Sequence, residues 1–164
     1  MKGLIIYKSN YGSTKQYAEW IGEDTGFVLR EAGKVKAADI RNSDTVIIGC
    51  PVFANKPLLA KWIRRKWNLL KDKKLALYTT SGAKADDPAL QDGYMASFDP
   101  EIVKSMEYFP QGGKMVFSEL SGMHRFFMNL GQKMEKDPEV RKAMASDKDH
   151  VDRSGLKKLL AYVR

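Results

Sequence analysis

The chain is 164 residues long and 43% hydrophobic, the length of one domain with enough apolar material for one sizeable core. Its first apolar run, residues 3–7, falls well short of the roughly 7 to 15 residues of a signal-peptide core or the roughly 20 that span a bilayer, so a cytoplasmic protein is expected. Twenty-eight Lys and Arg against 20 Asp and Glu leave a net charge of +8, and the single cysteine, Cys50, excludes an internal disulfide.

Residues 2–7, centred on Ile5 and Ile6, are short enough for a buried strand, which a Gly/Ser/Asn turn ends. From Thr14 the spacing turns helical, with Tyr17, Trp20 and Ile21 on one face. Phe27, Val28 and Leu29 form a second apolar run between Gly26 and Gly33, and residues 37–40 suit a helical turn. The clearest strand is 45–49, β-branched and apolar on both faces, as a parallel strand covered on both sides requires. Cys50 closes that run and is expected to be a buried, inert thiol.

After Pro57 a helix sets Leu59, Trp62, Ile63 and Leu70 against Lys61, Arg64, Arg65 and Asn68. From Lys56 to Lys74 eight basic residues accompany one acid, Asp72; a solvated helix face is the plain reading, and contact with an acidic partner or membrane surface the alternative. Residues 75–79 read as the fourth strand, 100–106 as a helix that Asp99 caps, and 114–117 as the fifth strand beyond the break at Gly112-Gly113. Residues 121–136 add an amphipathic helix whose stripe is Met123, Phe126, Phe127, Leu130 and Met134, and Asp137-Pro138-Glu139 opens another short helix. The stripe reads as packing against the sheet, with a quinone, membrane or porphyrin surface as the alternative. The last helix spans 152–163, with Leu156, Leu159, Leu160 and Val163 on one face.

Alternating strands and helices imply right-handed crossovers and one α/β domain over 1–164: a five-stranded parallel sheet in the order 2-1-3-4-5, helices on both faces, and an insertion at about 121–150 before the last helix. The turn Ser9-Asn10-Tyr11-Gly12-Ser13-Thr14 between the first strand and helix combines hydroxyls, a glycine and a helix start. Free N–H groups, the helix dipole and hydroxyl donors there suit a phosphate monoester, although an ordinary Ser/Thr helix cap uses the same residue types. His124 and His150 are far apart in sequence and have no Cys partner, so no metal site is expected; His124 reads as a surface residue, and no catalytic residue stands out.

Ser9 to Thr14 resembles the phosphate loop of the flavodoxin family, and the stretch from Val46 to Phe53 resembles that family's third strand running into a loop beside the flavin ring. The resemblance implies a flavodoxin-like three-layer sandwich that binds flavin mononucleotide (FMN). It places Pro51, Val52, Phe53, Ala54 and Asn55 on one side of the flavin ring and Thr79, Thr80, Ser81 and Gly82 on the other, with Phe53 or Tyr11 able to stack on the ring. Asp86 and Asp87 read as solvated loop charges. Within the family, the inserted helix and the basic helix resemble the oxygen-independent protoporphyrinogen oxidase group, which passes electrons to quinones.

Electron-shuttle flavodoxins are acidic, whereas this chain is basic. Positive charge near the flavin, with Lys56 and Lys84 as candidates, favours the negatively charged reduced ring and two-electron exchange with an organic substrate or quinone. The expected function is therefore an FMN oxidoreductase acting on a small molecule or quinone, with possible contact at the inner face of a membrane and no nucleic acid. An electron carrier between partner proteins and a basic binding module without flavin are the alternatives.

Overall fold

The computed structural model describes residues 2–83, 85 and 87–164. Five parallel strands form the central sheet: β1 (Gly3–Tyr7), β2 (Val28–Glu31), β3 (Thr45–Phe53), β5 (Lys74–Ser81) and β6 (Met106–Gly112), in the order β2-β1-β3-β5-β6, while the short β4 (Lys56–Pro57) turns back antiparallel on the end of β3. Ile5, Ile47 and Ala76 stand in register across the three middle strands. Because side chains alternate along a strand, two cores result. Leu4, Ile6, Val46, Ile48, Leu75 and Leu77 pack with Ile40 of α2 (Ala37–Arg41), Ile63 and Leu70 of α3 (Ala60–Leu70) and Ile102 of α5 (Pro100–Ser105). On the other face, Ile5, Ile47, Ala76 and Tyr78 pack with Tyr17, Ala18 and Ile21 of α1 (Ser13–Thr25) and with Leu156, Leu159 and Val163 at and within α8 (Lys157–Val163).

The fifth strand of the sheet is β6, not residues 114–117. Met106 does not close α5 but opens a strand that runs on through Pro110, and β6 is an edge strand, where a proline costs no ladder bond on its open side. Lys114–Met115 is β7, which pairs antiparallel with β8 (Lys148–Asp149) in a separate two-stranded sheet. That ladder, with Phe117 N–H donated to Asp147 Oδ1 at 2.8 Å, clamps the base of the excursion carrying α6 (Gly122–Met134) and α7 (Pro138–Met144). A helix absent from the expected pattern, α4 (Pro88–Met95), is capped by the exposed Asp87, whereas Asp99 makes no side-chain cap bond on α5. Asp86 and Lys84 lie outside the described residues. None of the described helices is long and apolar enough to cross a membrane.

The inserted stripe does not pack on the sheet. Met123, Phe126, Phe127, Leu130 and Met134 are 43 to 75% exposed, because the excursion leaves the sheet at its rim instead of lying across a face. Cys50 is fully buried, and burial pushes its thiol up to about 12.

Candidate functional site

The carboxyl ends of β1, β3, β5 and β6 open on one cleft of about 350 Å³, at the small end of the range of ligand pockets. Its floor and one end are the turn after β1. Gly12 is the N-cap of α1 with φ 97°, a left-handed conformation that suits glycine, and it brings no capping side chain. The first-turn N–H groups of Ser13, Thr14 and Lys15 have no carbonyl within the helix to bond, so the positive end of α1 faces the cleft. By contrast α4, α6 and α7 are closed by the side chains of Asp87, Ser121 and Asp137.

The hydroxyls of this turn are divided between structure and opening. Ser9 Oγ accepts the Gly12 N–H at 3.1 Å and Ser13 Oγ accepts the Lys114 N–H at 2.9 Å, which leaves both hydroxyl protons free to be donated. Thr14 is different: its Oγ1 is 2.8 Å from Thr80 Oγ1 in a buried pair, and the Tyr78 hydroxyl donates to its carbonyl at 2.8 Å. Gly49 makes that last bond possible, since a Cβ there would stand 2.0 Å from the Tyr78 ring. Burial holds the Tyr78 hydroxyl well above its ordinary pKa, so it stays a donor.

Pro51, Val52, Phe53 and Ala54 form one side of the cleft, with Thr80 and Ser81 beside them. Three residues expected at the ring do not line it. Asn55 sits with Ala54 at the tip of the β3–β4 hairpin, both with positive φ (60° and 48°), and is exposed. Thr79 is buried on the other face of β5, 2.7 Å from the Tyr108 hydroxyl, as strand alternation with Thr80 demands. Gly82 instead neighbours Met115 and Lys148 at the base of the insertion. Lys56 stands exposed on β4 outside the cleft, and among the described residues Lys114 carries the one permanent charge on its lining.

The remaining wall was anticipated only at Phe127, through the alternative reading of the 121–136 stripe as a ligand surface. Gly113, Lys114 and Met115 follow β6, while Leu120, His124, Phe127 and Met128 come from the insertion. The His124 ring lies against Phe53 with centroids 4.4 Å apart, and Phe127 meets Phe53 edge-on at 5.7 Å. Tyr11 binds the start of α6 at two points, accepting the Ser121 N–H at 3.2 Å and hydrogen bonding to His124 Nδ1. The i, i+3 spacing of His124 and Phe127 was the available signal, and nothing in the sequence named Phe53 as their neighbour.

Among the described residues the donors fit a phosphate dianion: a bare helix N-terminus, two hydroxyl protons available for donation and no carboxylate on the lining. The apolar walls beyond them fit a flat aromatic ring. A family model described as flavodoxin domain matches residues 4–142. No curated protein matches the chain. Among solved structures, a flavodoxin, WrbA-like protein from Agrobacterium tumefaciens is similar at 15% identity and a TM-score of 0.52, over 82% of this chain and 99% of that one. The oxidised Flavodoxin 2 of Bacillus cereus is similar at 19% identity and 0.51, over 88% and 93%. Rubredoxin oxygen:oxidoreductase from Desulfovibrio gigas reaches 17% and 0.52 over 96% of this chain, which spans 37% of that protein. At these identities the likeness is one of fold.

Proposed function

This chain belongs to the flavodoxin domain family, and on that footing we propose that it is an FMN-dependent oxidoreductase acting on a small organic substrate or quinone, in the manner of the protoporphyrinogen oxidase group. The N–H groups of the turn from Ser9 to Thr14 and the Ser9 and Ser13 hydroxyls would hold the phosphate, and the side formed by Pro51–Ala54 with Thr80 and Ser81 would receive the ring. Bound there, the flavin supplies one- or two-electron chemistry.

One observation carries the enzyme reading over that of a carrier between proteins: the insertion adds its own wall, Leu120, His124, Phe127 and Met128, to the cleft. A carrier needs an open flavin edge for its partner, whereas a walled apolar cleft receives a small molecule and excludes water. The exposed face of α6, with Lys133 beside it, is open to the apolar phase from which such a substrate comes.

Titration of the apoprotein with FMN and with riboflavin tests the binding site. The Ser9→Ala, Ser13→Ala double variant should lose at least tenfold in FMN affinity, since hydrogen bonds to a charged group contribute about 1.5 to 3 kcal/mol, and should bind riboflavin unchanged. Equal losses for the two ligands would remove the phosphate from this turn. Photoreduced protein that 1,4-naphthoquinone fails to reoxidise would remove the quinone reading.

A further inference from the structure

Among the described residues that line the cleft, Tyr11, Lys114 and His124 carry titratable side chains, and His124 is the one whose ring lies against Phe53 with Nε2 unbonded. We propose that His124 is the proton donor to the substrate reduced in this cleft, with Tyr11 as the residue that sets its tautomer; this rests on the oxidoreductase reading above.

The geometry fixes the imidazole on two sides. Phe53 covers a face of the ring, and the Tyr11 hydroxyl holds Nδ1. The Tyr11 oxygen accepts the Ser121 N–H and keeps its own proton to donate, and in the proposed arrangement that proton goes to Nδ1. A neutral imidazole that accepts at Nδ1 carries its proton on Nε2, and among the described residues Nε2 has no hydrogen-bond partner. The ring is therefore held with its donor unengaged, on the wall that the insertion adds to the cleft. The Ser121 cap secures the same turn, accepting the His124 N–H at 3.4 Å.

The chemistry balances with a quinone as oxidant. Reduced flavin bound here would supply two electrons and one proton, and the quinone would be reduced as the flavin is oxidised. The second proton comes from Nε2, whose bond to hydrogen breaks as a quinone O–H bond forms. Nδ1 takes the Tyr11 hydroxyl proton in the same movement, and solvent, which reaches the 40% exposed Tyr11, restores it. Among the described residues the other charged groups nearby are Lys114 on the cleft lining, with its Nζ 4.0 Å from Asp149 Oδ2, and Arg125, whose guanidinium is turned to the carbonyls of Ser118 and Leu120. Neither competes for Nε2.

Photoreduced FMN-loaded protein is mixed anaerobically with 1,4-naphthoquinone, and the return of the oxidised flavin spectrum is timed across pH 5.5 to 8.5. His124→Gln should slow reoxidation about 100-fold, the range of general acid catalysis, and flatten its pH profile, while FMN affinity stays within twofold. Reoxidation at the native rate with the native profile would overturn the proposal and leave the oxidoreductase reading intact. Nitrogen-15 spectra of the imidazole in the unmutated apoprotein and FMN-loaded protein give a readout free of turnover. They should show the Nε2–H tautomer, and Tyr11→Phe should release it to a mixture. An Nδ1–H tautomer, or one that Tyr11→Phe leaves unmoved, overturns the assignment whether or not FMN binds.

Discussion

Two helices of this molecule, α1 and α6, are each 13 residues long and each carry an apolar stripe, yet α1 buries Thr14, Tyr17, Ala18 and Ile21 whereas α6 buries nothing. Both are tied down by a tyrosine hydroxyl with two partners. Tyr17 donates to the Gly112 carbonyl and accepts the Asp152 N–H, each at 2.9 Å, and is fully buried. Tyr11 serves Ser121 and His124 and is 40% exposed. The helical period states that one face is apolar; the neighbours decide what that face does. α1 starts at the sheet's rim and runs back along a sheet face, so its stripe meets Ile5, Ile47 and Tyr78. α6 hangs from the β7–β8 ladder, and it meets α7 and the rings at the cleft mouth instead of a sheet face.

The largest expected break in this comparison is energetic. Ile21→Ala removes a fully buried side chain and should cost about 2 to 5 kcal/mol in urea unfolding. Met134→Ala, at a position 75% exposed, should stay within about 0.5 kcal/mol. Similar losses at the two positions would mean that α6 packs as α1 does. The tyrosines sharpen the contrast at a smaller scale. Tyr17→Phe leaves a carbonyl and an N–H without their partner and should cost about 1 to 3 kcal/mol. Tyr11→Phe should leave global stability unchanged and speed proteolytic cleavage within residues 116–147, because only the hold on the first turn of α6 is lost. Slow, native-like cleavage would show that the Phe53 contacts and the packing on α7 hold α6 without Tyr11.

Much of the sheet and of α1 was legible because their signals are local. Consecutive β-branched residues at Thr45, Val46, Ile47 and Ile48 specify a strand covered on both faces, and a glycine and hydroxyls at the end of β1 specify a helix start. Illegible features depended on distant partners. Whether Pro110 breaks a strand depends on β6 being the sheet edge, and whether the α6 stripe is buried depends on where β7 and β8 release the chain. In the site, the turn from Ser9 to Thr14 was legible as a unit, but Thr14 and Ser13 read alike until Thr80 took up the Thr14 hydroxyl. His124 was read as a surface residue because its place on the cleft wall is set by Tyr11 and Phe53, 113 positions away in one case and on another strand in the other.

Alkali should act on the body that carries α1 and leave the insertion alone. In the fold, burial pushes the Cys50 thiol up to about 12, and Tyr78 is raised as well. Both are neutral below their ordinary pKa values, so neither costs stability at pH 7. As pH rises past the ordinary thiol value of about 8.5, the unfolded chain releases a proton that the fold retains, and stability falls by about 1 kcal/mol per pH unit toward pH 12. Cys50→Ala should flatten that slope between pH 9 and 10 in urea titrations. An unchanged slope would place the alkaline loss on other groups.

The smallest effect lies where the two regions meet. Ala54 and Asn55 turn the β3–β4 hairpin with φ values of 48° and 60°, the geometry of a turn that glycine and asparagine favour. Asn55 suits its place, but Ala54 is held in a left-handed conformation that costs an alanine about 1 to 2 kcal/mol. Ala54→Gly relieves this and gives back part of the gain through the freer unfolded chain, so stability should rise by about 0.5 kcal/mol. Ala54 lines the cleft, and Phe53 beside it bears on His124. If the strain sets the Phe53 ring against α6, the glycine variant will be more stable in urea yet cleaved faster in the insertion; if both readouts improve together, the hairpin and α6 are independent and the contact at Phe53 is packing alone.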